Sequence, residues 1–233
     1  MRNAFKIMRR AGGAAAAALV ALLVSFSAPG VSAAQVTADQ AVVGGLKVPD
    51  SNPSIGAASA PVTMEIWSDY QCPYCMLLWQ DALPRVVSKY VTSGQLRIVF
   101  KDFEFLGEDS VTTALFARAV WDLYPQRFYD WNKTVFGVQG NENGGWASLD
   151  RIIELTNDIR GLDSSLLSAH LDANKTRYAQ AIEADMIEGR SAGVEGTPTI
   201  LIKSKPLDGL YSFENISAAI DKELATGSET SKR

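Results

Sequence analysis

The sequence predicts an α/β fold in which a helical insertion interrupts a domain built around a small sheet. Three observations support this prediction. Strand-like and helical patterns alternate over 61–108, helical periodicity fills 109–192, and two further strand-like runs with a closing helix occupy 193–227. With 47% hydrophobic and 21% charged residues, the 233-residue chain has the composition of a globular protein with a sizeable core.

The first half opens at Pro61 with VTMEIWSDY, a run of β-forming residues that predicts a strand. From Pro73 to Val91, apolar residues recur every three or four positions, which predicts a helix with Pro73 in its first turn. Pro84 should kink or split this helix. Gly94 ends it, and QLRIVFKDF predicts a second strand.

The insertion, 109–192, shows helical periodicity in every segment, broken at Gly137, at the GNENGG loop and at Gly161. The predicted helices are SVTTALFARAVWDLY, QRFYDWNKTVF, SLDRIIELTNDI, DSSLLSAHLDAN and TRYAQAIEADMIEGRSAG.

The second half, 193–227, contains TPTILIK as a strand and DGLYS as its expected hairpin partner. SFENISAAIDKELA predicts the closing helix, with Ser212 as its N-cap. We expect 228–233 to form a disordered tail.

Residues 1–33 have the parts of an export signal. The basic start MRNAFKIMRR precedes the apolar run AAAAALVALLVSF, and Val31 and Ala33 fit the small-residue pattern before a cleavage site. An uncleaved anchor is an alternative, because 11–28 has about the minimum length that spans a bilayer. A buried helix is another. Cleaved or anchored, such a segment places the rest of the chain outside the cytoplasm, in the periplasm or on the outer face of the cell membrane.

The segment 34–60 is rich in Ala, Gly, Ser and Pro, which predicts a flexible lead-in. The formal net charge of the chain is −4, and the basic residues of 1–33 have no acidic residue among them, so the remainder is more acidic still. A net negative charge is not typical of a nucleic-acid-binding protein, so we do not predict a nucleic-acid partner.

The two cysteines of the chain, Cys72 and Cys75, stand two residues apart in SDYQCPYC. Zinc needs four ligands, and the chain adds only one histidine, His170. A structural disulfide across two residues would restrain little chain entropy. A vestigial pair or a redox sensor stays open. The remaining interpretation is a thiol–disulfide exchange site.

The position of the pair fits this chemistry. Cys72 falls where a strand ends and a helix begins, and the helix N-terminus stabilises a thiolate there. Lowering the pKa of a thiol from about 8.5 to about 6.5 takes about 2.7 kcal/mol. Cys75 lies one turn later on the same face and can attack a mixed disulfide formed by Cys72.

Two stretches, APVTMEIWSDYQCPYC and GVEGTPTILI, resemble the DsbA-like thioredoxin-fold oxidoreductases over about 55–227. The resemblance implies a thioredoxin fold with an inserted all-helical domain. It also implies a cis peptide bond between Thr197 and Pro198, in a loop that lies against the cysteine pair and offers backbone groups to a peptide.

Two features depart from the expected pattern. CPYC is also typical of glutaredoxins, but those proteins are cytosolic, about half as long, and without a helical insertion. Related proteins often carry a buried acid six residues before the first cysteine, whereas this chain has Ile66 there and Glu65 one position away, which alternation places on the other face of the strand. A bulge would restore Glu65 to the site. Asp69 matches the family but is also a plausible loop or cap residue.

The resemblance implies an exported thiol:disulfide oxidoreductase that forms disulfides in extracytoplasmic proteins. Cys72 would form the mixed disulfide and Cys75 would resolve it. Pro73 and Tyr74 would support the site. In addition, Thr197 and Pro198 would bind the substrate backbone. No cofactor or metal is expected; the partners are unfolded or reduced exported proteins, a quinone-linked membrane protein that reoxidises the pair, and, for an anchored chain, the membrane itself.

Three alternatives stay open. The same fold could act as a reductase or isomerase. The chain could instead be a non-enzymatic exported binding or chaperone module with incidental cysteines, or a redox-sensing accessory protein bound to one membrane partner. His170 is interpreted as a surface or packing residue, the five tryptophans as core or domain-interface residues, and Glu183, Asp185 and Glu188 as a solvated helix face. The N-x-[ST] pattern matters only in a glycosylating secretory pathway; it occurs at Asn132, Asn174 and Asn215.

Overall fold

A five-stranded mixed sheet forms the centre of the protein. The computed structural model describes residues 42–43, 46–47 and 52–230. The strands of the sheet are β3 (Ser54–Ile55), β4 (Val62–Ser68), β5 (Leu96–Asp102), β6 (Thr199–Ile202) and β7 (Lys205–Pro206), in the spatial order β3-β5-β4-β6-β7. Two short strands that precede them, β1 (Val42–Val43) and β2 (Leu46–Lys47), pair with each other.

The helices are α1 (Pro73–Leu77), α2 (Leu83–Val86), α3 (Glu108–Leu123), α4 (Phe128–Gly137), α5 (Leu149–Asn157), α6 (Ser164–Ser191) and α7 (Phe213–Thr230). A π-helical turn, Leu78–Ala82, joins α1 to α2, and a second, Val87–Val91, follows α2. Pro84 therefore interrupts regular α-helical bonding without splitting the helix. A single 3₁₀ turn, Pro125–Arg127, leads into α4.

The pairing of β4 with β5 brings the carboxyl ends of these two strands together. The two strands are parallel and in unbroken register from Val62 opposite Leu96 to Ser68 opposite Asp102. Both strands therefore end at the same edge, and the segments that follow them meet there. The other pairings, of β5 with β3, β4 with β6 and β6 with β7, are antiparallel.

Alternation along β4 distributes its side chains between two cores. Met64 and Ile66 are fully buried in the main core, which also contains residues of α2, α3, α4 and α7. Trp67 faces the opposite side and packs in a smaller cluster with Phe103, Val194 and Leu201. Gly189 of α6 lies so close to Trp67 that a Cβ atom there would stand 2.7 Å from the indole Nε1.

Two of the predicted elements are wrong. The segments DSSLLSAHLDAN and TRYAQAIEADMIEGRSAG form one continuous helix, α6, because no glycine or proline separates them. The hairpin partner of β6 is Lys205–Pro206 rather than DGLYS, because Lys203 and Ser204 adopt positive φ values of 48° and 61° and turn the chain at once.

The structure also differs from the prediction near both ends of the described chain. Residues 34–60 are not a flexible lead-in throughout, because Ser54 and Ile55 pair with β5 as an edge strand. The closing helix continues to Thr230, three residues into the segment expected to be a disordered tail. Its N-cap is as predicted, since Asn215 N–H donates to Ser212 Oγ at 3.2 Å.

The predicted export signal, 1–33, lies outside the described residues. Within the part of the chain that the structure describes, no helix has the length and apolar character needed to cross a bilayer.

A buried ion network joins the sheet to the helices. Arg118 of α3 donates from Nε to Asp102 Oδ2 at 2.8 Å and from Nη2 to Asp185 Oδ2 of α6 at 2.5 Å. Lys101 contacts Asp185 Oδ1 at 3.5 Å and Glu188 at 2.8 Å. Since Arg118 and Asp185 are both buried, each depends on the other for compensation.

Replacing Arg118 by methionine should lower the free energy of unfolding by about 3–5 kcal/mol, because two buried carboxylates lose their main partner. Urea unfolding of the reduced protein measures this loss. The matched variant Lys205→Met removes an ion pair from a side chain that is 73% exposed, and should change stability far less. Equal losses in the two variants would contradict the importance of the network.

Candidate active site

Cys72 and Cys75 lie at the edge of the sheet where β4 and β5 end. Cys72 is the N-cap residue of α1, with φ −73° and ψ 120°, and Pro73 occupies the first helical position. The N–H of Cys72 donates to the carbonyl of Asp69 at 3.1 Å. Cys72 is 5% exposed and Cys75 is fully buried, and both are free thiols in this structure. Pro73 and Tyr74 between them are exposed.

The loop before β6 closes over the first cysteine. The Thr197–Pro198 peptide bond is cis, as predicted, and the Thr197 carbonyl accepts a hydrogen bond from Cys72 Sγ at 3.1 Å. The structure therefore brings the CPYC segment and the GTPT segment, 125 residues apart in sequence, into direct contact.

The two thiols differ in acidity. A hydrogen bond from the Cys75 side chain is the largest contribution that lowers the pKa of Cys72, to about 6, and it outweighs burial. Thr197 and the N–H groups of Cys75 and Tyr74 contribute in the same direction. Burial, followed by the neighbouring Cys72 sulfur, raises the pKa of Cys75 well above its ordinary value. At neutral pH the pair therefore carries one thiolate, on Cys72.

The Thr197 hydroxyl completes the surroundings of that thiolate. Thr197 Oγ1 is buried and has no hydrogen-bond partner among the described residues while Cys72 donates to the Thr197 carbonyl. A deprotonated sulfur no longer donates and needs donors instead. The Thr197 hydroxyl lies beside the Cys72 sulfur and can supply one of these donors.

Asp69 organises the loop that precedes Cys72. Its fully buried carboxylate accepts hydrogen bonds from Gln71 N–H at 2.8 Å, from Phe105 and Leu106 N–H at 2.8 and 2.9 Å, and from Ser110 Oγ at 2.6 Å. These partners belong to the segments that follow both parallel strands. Asp69 is therefore a connecting residue of the site and more than a local cap.

Glu65 does not belong to the site. The register of β4 is unbroken, so no bulge turns Glu65 toward Cys72. Its side chain faces Lys101, Asp185 and Glu188 on the other side of the sheet, and burial raises its pKa. Glu65 thus lies on the other face of the strand, as alternation predicts, and no bulge restores it to the site.

A different buried acid, Glu104, lies next to the site and escaped the sequence analysis. It is 6% exposed, accepts a hydrogen bond from Tyr70 N–H at 3.2 Å through Oε2, and has no partner at Oε1 among the described residues. Burial raises its pKa well above 4.5, and the nearby Asp69 and Asp102 raise it further. The parallel β4–β5 pairing could have indicated Glu104, since it follows β5 at the edge where Cys72 follows β4.

The insertion also holds the active-site loop. Gln139 donates to the carbonyls of both Tyr70 and Cys72, at 2.7 and 3.1 Å. The Gln71 side chain accepts from Asn143 N–H at 2.5 Å. Nothing in the local sequence pattern marks these amides, because the contacts join distant segments.

An open groove of about 520 Å³ is lined by Tyr74 and Thr197, which both contact Cys72, and by residues that follow them. One wall is the exposed face of α1 and the π-helical turn after it, and the other is formed by Thr197, Pro198 and 209–212. The residues of the helical wall are Tyr74, Leu77, Leu78, Asp81 and Ala82. Apart from Asp81, the helical wall presents mainly apolar and aromatic surface.

Other residues considered in the sequence lie away from the thiols or serve the fold. His170 Nε2 lies 3.3 Å from Asp122 Oδ2. Asp185 is 2% exposed and pairs with Lys101 and Arg118, so the prediction of a solvated helix face is wrong at this residue. Glu188 also contacts Lys101. Asn132 is 1% exposed and accepts a hydrogen bond from the Tyr70 hydroxyl at 2.6 Å, so its role is in the core.

Comparison with known proteins identifies a matching family model and similar proteins. The family model described as Thioredoxin matches residues 49–222. The chain is similar to disulfide bond formation protein D of Bacillus subtilis (strain 168), with 27% identity over 172 residues, which cover 74% of this chain and 77% of that protein.

Solved structures show the same fold. The oxidised form of BdbD from Bacillus subtilis aligns with a TM-score of 0.68 at 26% identity, over 75% of this chain and 93% of that one. The thiol-disulfide exchange protein alpha-DsbA2 from Wolbachia pipientis aligns with a TM-score of 0.64 at 21% identity, over 73% and 86% of the two chains.

Replacing Thr197 by valine keeps the shape of the side chain and removes its hydroxyl. Since a hydrogen bond to a charged group contributes about 1.5–3 kcal/mol, the pKa of Cys72 should rise from about 6 by about one to two pH units. The pH dependence of thiolate absorbance measures this change. Thr199→Val is the matched control, because Thr199 Oγ1 donates to the Gly196 carbonyl instead. Equal shifts in both variants would contradict a direct role for the Thr197 hydroxyl.

Replacing Glu104 by glutamine should change how stability depends on pH. The folded-state pKa of Glu104 is raised, so above 4.5 the unfolded chain ionises while the folded protein keeps the proton. The wild type therefore loses about 1.4 kcal/mol relative to the variant for each pH unit between the two pKa values. Urea unfolding at about pH 4 and about pH 8 tests this, and a pH-independent difference would contradict it.

Proposed function

Because the chain belongs to the thioredoxin family, among its DsbA-like members, and is a thiol:disulfide oxidoreductase, we propose that it forms disulfides in proteins outside the cytoplasm. Cys72 and Cys75 are the proposed redox pair. The observation that carries this proposal is the lowered pKa of Cys72, at about 6, beside a buried thiol of raised pKa.

The acidity of Cys72 determines the favoured direction of exchange. A thiolate of low pKa is a good leaving group, and its stabilisation favours the reduced pair over the disulfide. A protein whose reduced form is stabilised takes electrons from substrate thiols. This supports oxidation of substrates over the reductase and isomerase alternatives.

The proposed reaction begins with the oxidised pair. A substrate thiolate attacks Cys72 Sγ, the Cys72–Cys75 bond breaks, and Cys75 leaves and takes a proton from solvent. A second substrate thiol, having lost its proton to solvent, attacks the substrate sulfur of the mixed disulfide and expels Cys72 as a thiolate. The substrate has lost two electrons and the pair has gained them.

The proposed substrate site is the groove beside Cys72. Thr197 and Pro198 line it and would bind an extended substrate backbone. Pro73 begins α1, and Tyr74 gives both an N–H toward Cys72 and an exposed ring to the groove. In the reverse direction, Cys75 would resolve the mixed disulfide, which prevents the enzyme from remaining bound to a substrate.

The proposed location is extracytoplasmic. It is supported by the basic and apolar pattern of 1–33, which would serve as a cleaved signal or, through 11–28, as a membrane tether. In this organisation, 61–108 and 193–227 form the two parts of the thioredoxin fold and 109–192 the inserted helical domain. Reduced exported proteins would be the substrates, and a quinone-linked membrane protein would reoxidise the pair.

The Cys72→Ser variant should lose oxidation of a reduced test protein entirely, because the attacked sulfur is gone. The Cys75→Ala variant keeps the Cys72 thiolate without its resolving partner. With a test protein carrying a mixed disulfide with glutathione, it should accumulate a protein–protein disulfide and release glutathione. Gel electrophoresis without reductant detects this species.

The double variant Cys72→Ser/Cys75→Ala is the control and should form no adduct. Undiminished oxidation by Cys72→Ser would contradict the proposal and favour the view that the cysteines are incidental to a binding or chaperone role.

A further inference from the structure

The groove beside Cys72 gathers exposed apolar side chains that the fold itself does not bury. Tyr74 is 69% exposed, Leu77 54% and Leu210 82%, and all three line the groove. An apolar surface of this kind, rimmed by polar groups, is typical of a binding site. Its lining includes Tyr74 and Thr197, which both contact Cys72, so a substrate segment bound at Cys72 would reach this surface.

One charged side chain stands in this apolar setting. Asp81 is the only Asp, Glu, Lys or Arg among the described residues that line the groove, and it makes no ion pair with any of them. Arg85, one turn further along, is already paired with Glu214 at 3.0 Å and stacked on Phe213. The carboxylate of Asp81 is therefore free to attract a positive charge from a bound segment.

We propose that the groove selects extended substrate segments in which a lysine or arginine stands at a fixed distance from the reacting cysteine. This inference rests on the proposed function, since it concerns which substrates the oxidised pair meets. Apolar residues of the segment would lie against Tyr74, Leu77 and Leu210, and the basic side chain would reach Asp81.

The geometry of the groove predicts how many residues separate the reacting cysteine of the substrate from the basic residue. The wall residues Tyr74, Leu77, Leu78 and Asp81 follow one face of the helix, so the groove runs along the helix away from Cys72. Nine steps along the chain lead from Cys72, the N-cap, to Asp81 in the π-helical turn, a rise of at most about 13 Å. An extended peptide covers this distance in about four residues. The basic residue should therefore stand about four positions from the cysteine.

A basic group that binds Asp81 competes only with water. The residue is exposed in the empty groove, so a bound ammonium or guanidinium group replaces water without displacing a protein partner. A contact between partly exposed charges changes a rate or affinity by at most about fivefold. The preference is thus a bias among many substrates, as an oxidase for diverse proteins requires.

The test uses synthetic peptides with two cysteines and one variable position four residues from the first cysteine, occupied by lysine, alanine or glutamate. Two sets place this position on either side of the cysteine. The second-order rate constant for reduction of the oxidised protein is measured at low ionic strength. In one of the two sets, the lysine peptide should react about fivefold faster than the glutamate peptide, with alanine between them.

Three variants identify the cause. The lysine-to-glutamate rate ratio should fall to about one in Asp81→Asn and invert in Asp81→Lys, because the charge that sets the preference is removed or reversed. Asp172→Lys makes the same charge change at an exposed position of α6, outside the groove, and should keep the wild-type ratio. Added salt should reduce the wild-type ratio.

Equal wild-type rates for all three peptides in both sets, or an unchanged ratio in Asp81→Asn, would overturn the inference while leaving the oxidase function intact. Failure of every peptide to reduce the oxidised wild-type protein would instead contradict the proposed function, and the inference with it. A lysine moved next to the cysteine raises the thiolate fraction of the peptide whatever the enzyme carries, so its rate should be the same in the wild type and in Asp81→Asn; this separates a contact with Asp81 from a general effect of charge on the peptide thiol.

Discussion

Stabilisation of a thiolate at Cys72 is the interaction on which the rest of the site depends. Three sources of hydrogen bonds converge on that sulfur: the first turn of α1, the thiol of Cys75, and the loop at Thr197. The first two belong to the same helix, and the Thr197 loop reaches them through the antiparallel return of β6 beside β4. The sheet thus serves the chemistry by bringing distant segments to one edge.

The helical insertion also helps to hold the loop that carries Cys72. Gln139 binds the carbonyls of Tyr70 and Cys72, and Asn143 binds the side chain of Gln71. Because Arg118 ties the helical block to Asp102 of β5, the loop that carries the first cysteine is restrained by both parts of the fold. This restraint holds Cys72 at the start of α1.

The sequence predicted those parts of the molecule that depend on local pattern. The strand before CPYC, the helix after it and the cap at Ser212 all have short-range signals. The cis peptide bond at Thr197–Pro198 was implied by the family resemblance. Glu104, Gln139 and Asp81 had none, because their importance arises from contacts or surfaces formed by segments far apart in the chain. The hairpin after β6 was misassigned because Lys203 and Ser204 adopt positive φ angles that their residue types rarely favour.

The measurement that tests the central claim most directly is the reduction potential of the Cys72–Cys75 pair. The protein is equilibrated with glutathione buffers of known ratio, and the fraction of both thiols that is oxidised is determined after rapid alkylation. Stabilisation of the Cys72 thiolate predicts a potential well above the value of about −270 mV found for thioredoxin. A potential at or below that value would show that the low pKa of Cys72 does not stabilise the reduced pair, and the protein would then be a reductant.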